Sequence, residues 1–208
     1  MEIPGSVGQD RAARIRDLSE RSMRRAGDAL TTLLGRPVSL AIVEIQPLSA
    51  AEEILKRAGG EPGASVGLDF KIAGYTGGCA LILLPQPAVF TVLQLLLGRS
   101  AEPHELDGLE RSAIQELGNI LASSFLSELG DLTGRRFMHS VPQIHLRNAR
   151  SHMQELLANL RTISSEVMVI QARFEDPIRQ LEGGFFVLPE LAAFLPTLAG
   201  DQNTGGAA

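Results

Sequence analysis

At roughly 100–200 residues per domain, a chain of 208 residues has room for one domain, or for two small halves sharing a core, and not for a multidomain machine. Hydrophobic residues make up 44 % and charged residues 21 %, which is enough apolar material for an ordered core. The formal net charge of −5, the aromatic content of 4 %, the lack of Trp and the single Tyr exclude a nucleic-acid surface, which needs clustered Lys and Arg with stacking rings.

The lone cysteine, Cys79, forms neither an internal disulfide nor a thiolate metal cage, so a cytoplasmic protein is expected. Met1 to Asp17 holds no apolar run of the kind a signal peptide needs. The most apolar window, Ala80 to Gly98, is broken by Pro85 and Pro87 and carries Gln86 and Gln94, so no membrane insertion is expected.

In chain order the sequence repeats itself. Two long helical patterns each close on a glycine followed by arginine, Gly35-Arg36 and Gly134-Arg135, with the glycine placed to cap the helix C-terminus. Each is followed by a strand-like run, Val38 to Ile45 and Phe137 to Leu146, and then by a short helical pattern, Ala50 to Ala58 and Arg150 to Leu160. Two more strand-like runs come next in each half, Ser65 to Ile72 with Cys79 to Leu84, and Glu166 to Phe174 with Gly184 to Leu188. The pairs Gly77-Gly78 and Gly183-Gly184 precede the last strands and read as turns. Those strands end in Leu84-Pro85 and Leu188-Pro189 and lead into apolar helices ending at Gly98 and Gly200.

Gly35 and Gly134 lie 99 residues apart, and Pro85 and Pro189 lie 104 apart, as in a duplication with small loop differences. The expected fold is α+β: a pseudo-twofold duplicated single domain with a mainly antiparallel sheet of about six strands covered by two long helices. The expected boundaries are a flexible N-terminus at 1–9, a first repeat at about 10–98, a second at about 105–200, and a flexible C-terminus at 201–208.

The second long helix, from about Leu109 to Thr133, should turn Leu109, Ala113, Leu117, Ile120, Leu121, Ser124, Phe125 and Leu132 to the core. Its other side carries Ser112, Glu116, Asn119, Ser123 and Ser127 as one polar stripe, with no Lys or Arg between Arg111 and Arg135. Ser and Asn are mediocre helix formers, and Gly118 costs about 1 kcal/mol relative to Ala. Glu116 and Asn119, at i and i+3, share one face. A carboxamide both donates and accepts and so suits a water, while a carboxylate suits a cationic side chain. A solvated face with incidental Ser and Asn satisfies the same pattern.

The run Ser112-Ala113-Ile114-Gln115-Glu116-Leu117-Gly118-Asn119-Ile120-Leu121, after Leu106-Asp107 and before Leu132-Thr133-Gly134, resembles the signature helix of the CheC family of chemotaxis phosphatases (the CheC/CheX/FliY group). The duplicated layout extends the likeness over about residues 10 to 200. The resemblance implies removal of the aspartyl phosphate from a phosphorylated CheY-like response regulator, with Asn119 orienting the attacking water and Glu116 anchoring the regulator through its active-site lysine. It implies no cofactor of the chain's own, Mg²⁺ in the regulator, and the receptor deamidase CheD as a possible second partner. A non-catalytic protein that docks a response regulator or a flagellar-switch component is the alternative.

The family carries the motif twice, and here this sequence departs from it. Ninety-nine residues before Glu116 and Asn119 stand Asp17 and Glu20, so the carboxamide is missing and the first site is expected to be degenerate. Arg24 takes the place of Ser123, beside Arg21 and Arg25, in a run that reads as a solvated helical face or as a surface for an acidic partner. His139 and His145 could share a strand face with His152 nearby, but no carboxylate or thiol completes a ligand set and no metal site is expected. Cys79 reads as a small core residue.

Overall fold

The computed structural model describes residues 5–47, 65–74, 78–99, 105–146, 155–156, 158–159, 168–176 and 183–189. Helix α1 spans Gly5–Leu34, so it starts inside the segment expected to be flexible. No proline occurs between Pro4 and Pro37 to stop it. Strands β1 (Ser39–Pro47), β2 (Ser65–Gly74) and β3 (Gly78–Pro85) follow, then helices α2 (Gln86–Leu97) and α3 (Gly108–Thr133). Strands β4 (Phe137–His139), β5 (Gln143–His145), β6 (Met168–Glu175) and β7 (Gly184–Pro189) complete the described elements. Gly35 and Gly134, at φ of 66° and 63°, end α1 and α3 in the left-handed conformation that their positions suggested. The short helices expected at 50–58 and 150–160 and the closing helix before Gly200 lie outside the described residues, apart from helical residues 155–156 and 158–159.

The strands form one seven-stranded sheet in the order β1-β6-β7-β3-β2-β4, with β5 also on β2, and every pairing is antiparallel. The pseudo-twofold relation is visible in that order. The last strands of the two repeats, β3 and β7, meet at the centre, each beside its hairpin partner, β2 or β6. The first strand of each repeat crosses to the other half: β1 pairs with β6, and β4 and β5 pair with β2. The two turn glycines make reciprocal close approaches. A Cβ on Gly78 (φ 146°) would stand 2.5 Å from the Leu188 carbonyl oxygen, and one on Gly183 (φ 152°) 2.8 Å from that of Leu83. Both positions therefore require glycine.

Expected as one strand, Phe137 to Leu146 is two. Pro142 supplies no backbone N–H for the ladder, so pairing breaks between β4, on Ile72–Gly74, and β5, on Gly67–Asp69. Across the gap the Lys71 N–H donates to Ser140 Oγ at 3.1 Å, and the Ser140 N–H donates to the Lys71 carbonyl at 3.0 Å.

Alternation puts Leu68, Phe70, Ile82, Ile170, Ala172, Phe185 and Val187 on one sheet face, in a single core with Met23, Ala26 and Leu30 of α1 and Ile114, Leu117, Leu121 and Phe125 of α3. The Phe125 and Phe185 rings meet edge to face, 5.9 Å apart at 88°. The opposite face is buried as well at Cys79, Leu81, Leu83, Val169, Phe186 and Leu188. Burial pushes the Cys79 thiol up to about 12, helped by the nearby Asp69 charge, so it packs as a neutral small residue. Leu109, expected in the core, is 56 % exposed. It stands seven residues before Glu116, close to two full turns, and so shares the outward face.

Candidate functional site on helix α3

Asp107 starts α3 with a capping box: its carboxylate accepts from the Glu110 N–H at 2.9 Å, and the Glu110 carboxylate accepts from the Asp107 N–H at 2.9 Å. The Glu110 amide and then the Arg99 guanidinium hold the Asp107 carboxyl below the usual carboxylate range. Further along, the buried stripe Ile114, Leu117, Gly118, Leu121, Ala122, Phe125, Leu126 and Leu129 faces the sheet.

Gly118 has a packing reason. A Cβ there would meet Leu68 Cδ1 at 3.3 Å, Pro142 Cγ at 3.6 Å and Ile82 Cδ1 at 3.7 Å. The helix therefore lies directly on β2, β3 and the Pro142 ring, which offsets the helix-propensity cost of glycine. Gln115 Nε2 donates to the Pro142 carbonyl at 3.0 Å and fixes the same rotation. With the helix seated in this way, Glu116 is exposed and Asn119 half-buried at the rim. Asn119 Nδ2 donates to Glu116 Oε2 at 3.4 Å, a long bond by ordinary geometry. The pair read from the i, i+3 spacing is thus in contact, with a carboxylate and a carboxamide presented side by side.

Ser123, one turn further along the stripe, meets a residue that the sequence did not connect to it. Its Oγ lies 2.8 Å from His139 Nε2. His139 is opposite Ile72 in the β4–β2 ladder, which puts it on the helix-covered face. Its ring stacks at a tilt on Phe70, with centroids 5.7 Å apart, and Nδ1 lies 2.9 Å from the Ser140 carbonyl. His145 is opposite Gly67 and points to the other face, where Nε2 lies 2.5 Å from the buried Asp69 Oδ1. The shared His face is corrected by the Pro142 break, and His152 lies outside the described residues.

On α1, Asp17 and Glu20 are both exposed, and Glu20 pairs with Arg16 at 3.6 Å. The arginines beyond them are not simply solvated. Arg25 Nη1 reaches Glu128 at 2.8 Å and Asp131 at 2.9 Å, and Arg21 reaches Glu128 at 3.6 Å, so α1 is tied to the far end of α3. Glu20, Arg24 and Asp28 line a groove of about 380 Å³ against Val38, Leu40 and Ile42. By the 99-residue offset Arg24 and Leu40 answer to Ser123 and His139. The first repeat thus has a groove where the second has a hydrogen-bonded pair.

These features define a duplicated α+β fold with an intertwined antiparallel sheet, whose second long helix carries an outward polar face. Residues 109–146, from the first turn of α3 through β5, match the model of the CheC-like family. Over 199 residues the chain is 25 % identical to the CheY-P phosphatase CheC of Bacillus subtilis (strain 168), covering 93 % of this chain and 95 % of that protein. The crystal structure of Thermotoga maritima FliY shares the fold at a TM-score of 0.64 with 17 % identity, covering 95 % of this chain and 96 % of that one. The FliM middle domain from Vibrio alginolyticus does so at 0.55 with 17 % identity, covering 88 % and 97 %. The resemblance of the signature helix holds over the matched segment, and the likeness to CheC extends along nearly the whole chain. No helix among the described residues is long and apolar enough to cross a membrane.

Proposed function

We propose that this chain hydrolyses the aspartyl phosphate of a CheY-like chemotaxis response regulator, using Glu116 and Asn119. The observation that carries the reading is the contact between an exposed carboxylate and a carboxamide on one helix face, Asn119 Nδ2 to Glu116 Oε2 at 3.4 Å, within the segment that matches the CheC-like family. The activity named for the Bacillus subtilis relative supports it.

In this reading the Asn119 amide, donor and acceptor at once, orients a water towards phosphorus, and the Glu116 carboxylate holds a lysine of the regulator. The water oxygen bonds to phosphorus while the bond from phosphorus to the regulator's aspartate breaks, leaving the electron pair on that carboxylate. Both water hydrogens depart with the phosphate, which then loses one to solvent. No strong base is required, because a loose phosphoryl-transfer transition state rewards positioning. The Mg²⁺ that neutralises the phosphoryl charge belongs to the regulator.

Docking without hydrolysis is the second reading. It is favoured by Asp17 and Glu20 standing where the first repeat needs Glu and Asn, and by the likeness of fold to the FliM middle domain. Phosphate release from a CheY-like regulator phosphorylated in the presence of Mg²⁺ separates the two. Release accelerated by catalytic amounts of this chain supports hydrolysis, while binding with unchanged dephosphorylation supports docking.

A further inference from the structure

We propose that Ser123 supplies a second contact to the attacking water, and that His139 is the positioning residue that aims the Ser123 hydroxyl; this rests on the phosphatase reading above. A carbonyl oxygen only accepts, so Nδ1, 2.9 Å from the Ser140 carbonyl, carries the ring hydrogen of neutral His139. Nε2 is then the acceptor, and the Ser123 hydroxyl at 2.8 Å must donate to it.

Several hydroxyls of the long helices turn back on their own backbone, with Ser112 donating to the Gly108 carbonyl at 2.9 Å, Ser19 to Ile15 at 2.7 Å and Thr133 to Leu129 at 2.6 Å, while Thr31 donates out of α1 to the Val38 carbonyl at 2.9 Å. Ser123 is held differently. With its hydrogen committed to His139, its oxygen offers only lone pairs to the stripe. Asn119 stands four residues before it, with Cβ atoms about 6 Å apart at that spacing, a gap that one water with two ordinary hydrogen bonds spans. A water that donates one hydrogen to Asn119 Oδ1 and the other to Ser123 Oγ has its own lone pair fixed in direction, which is what in-line attack requires. The hydrolytic step is unchanged, and neither Ser123 nor His139 takes a proton. The first repeat lacks the device, since Arg24 and Leu40 occupy the corresponding positions.

Steady-state phosphate release from the phosphorylated regulator tests this with Ser123→Ala, His139→Ala, His139→Gln and the double alanine variant. Ser123→Ala and His139→Ala should each lower kcat about tenfold, the worth of one oriented hydrogen bond, with KM unchanged. His139→Gln, whose amide oxygen still accepts from the hydroxyl, should recover most of the loss. His139→Ala should cost nothing further in the Ser123→Ala background, because it acts only through that hydroxyl. Full kcat in Ser123→Ala, or an equal His139→Ala loss in both backgrounds, overturns the proposal and leaves the Glu116 and Asn119 reading standing. A wild-type chain without phosphatase activity, or an Asn119→Ala variant as fast as wild type, overturns both.

Discussion

Glu116 and Asn119 touch, yet their substitutions should separate by kinetic parameter. In the proposed reading Glu116 holds a lysine of the regulator, so Glu116→Ala is expected to weaken binding of the regulator in an acyl-phosphate-mimic form, measured by titration. Normal affinity with a pure rate defect would reverse the two roles. Gly118 makes a prediction about stability instead. Its missing Cβ already has Leu68 Cδ1 within 3.3 Å and Pro142 Cγ within 3.6 Å, so the two added methyls of Gly118→Val should destabilise the fold by about 1–3 kcal/mol through overpacking, read by chemical denaturation. The Glu116 and Asn119 pair was legible in the sequence because i, i+3 spacing makes neighbours on any helix. The Ser123 contact with His139 was not, because it depends on the register of β4 against β2, which no local pattern encodes.

At the scale of elements, α1 and α3 are copies that carry different side chains at matching positions. Asp17 lacks the reach of Glu, and ionised Glu20 donates no hydrogen bond to water. Arg16 pairs with Glu20 at 3.6 Å, and Arg25 is committed to Glu128 and Asp131. Replacing Asp17 and Glu20 together by Ala should therefore barely alter turnover of the phosphorylated regulator, and, as exposed surface changes, should move stability by no more than about 0.5 kcal/mol. A loss as large as that from Asn119→Ala would give the first repeat a part in catalysis or docking. The strands from Ser39, Ser65, Gly78, Met168 and Gly184 were readable from alternation and from the Gly-Gly and Leu-Pro boundaries. Phe137 to Leu146 read as one strand because its composition is extended throughout, and the break at Pro142 emerges only when the run must pair with β2. Leu109 was misplaced for a related reason. A single apolar residue in a first turn fits either side of a helix until the buried stripe beginning at Ile114 sets the phase.

For the molecule as a whole, the crossing of edge strands decides what can fold. β1 pairs with β6, and β4 and β5 pair with β2, so neither repeat completes a sheet by itself. Residues 1–98 and residues 99–208, produced separately, should lack the dispersed amide spectrum of a packed domain and should recover it when mixed. A well-dispersed spectrum for either piece alone would contradict the intertwined topology. The duplication was visible in sequence through the matched glycines and prolines, whereas the exchange of first strands was not, because a repeat period records what is copied and not which copy pairs with which. That topology holds α3 over the sheet with Glu116, Asn119 and Ser123 facing outward, and its purpose is tested most directly by timing phosphate release from a phosphorylated CheY-like regulator with wild-type chain and with Asn119→Ala. Wild-type chain should accelerate release, and Asn119→Ala should lose activity on the order of 10²–10⁴ with its thermal transition unchanged. Equal rates for the two proteins would contradict the proposed hydrolysis.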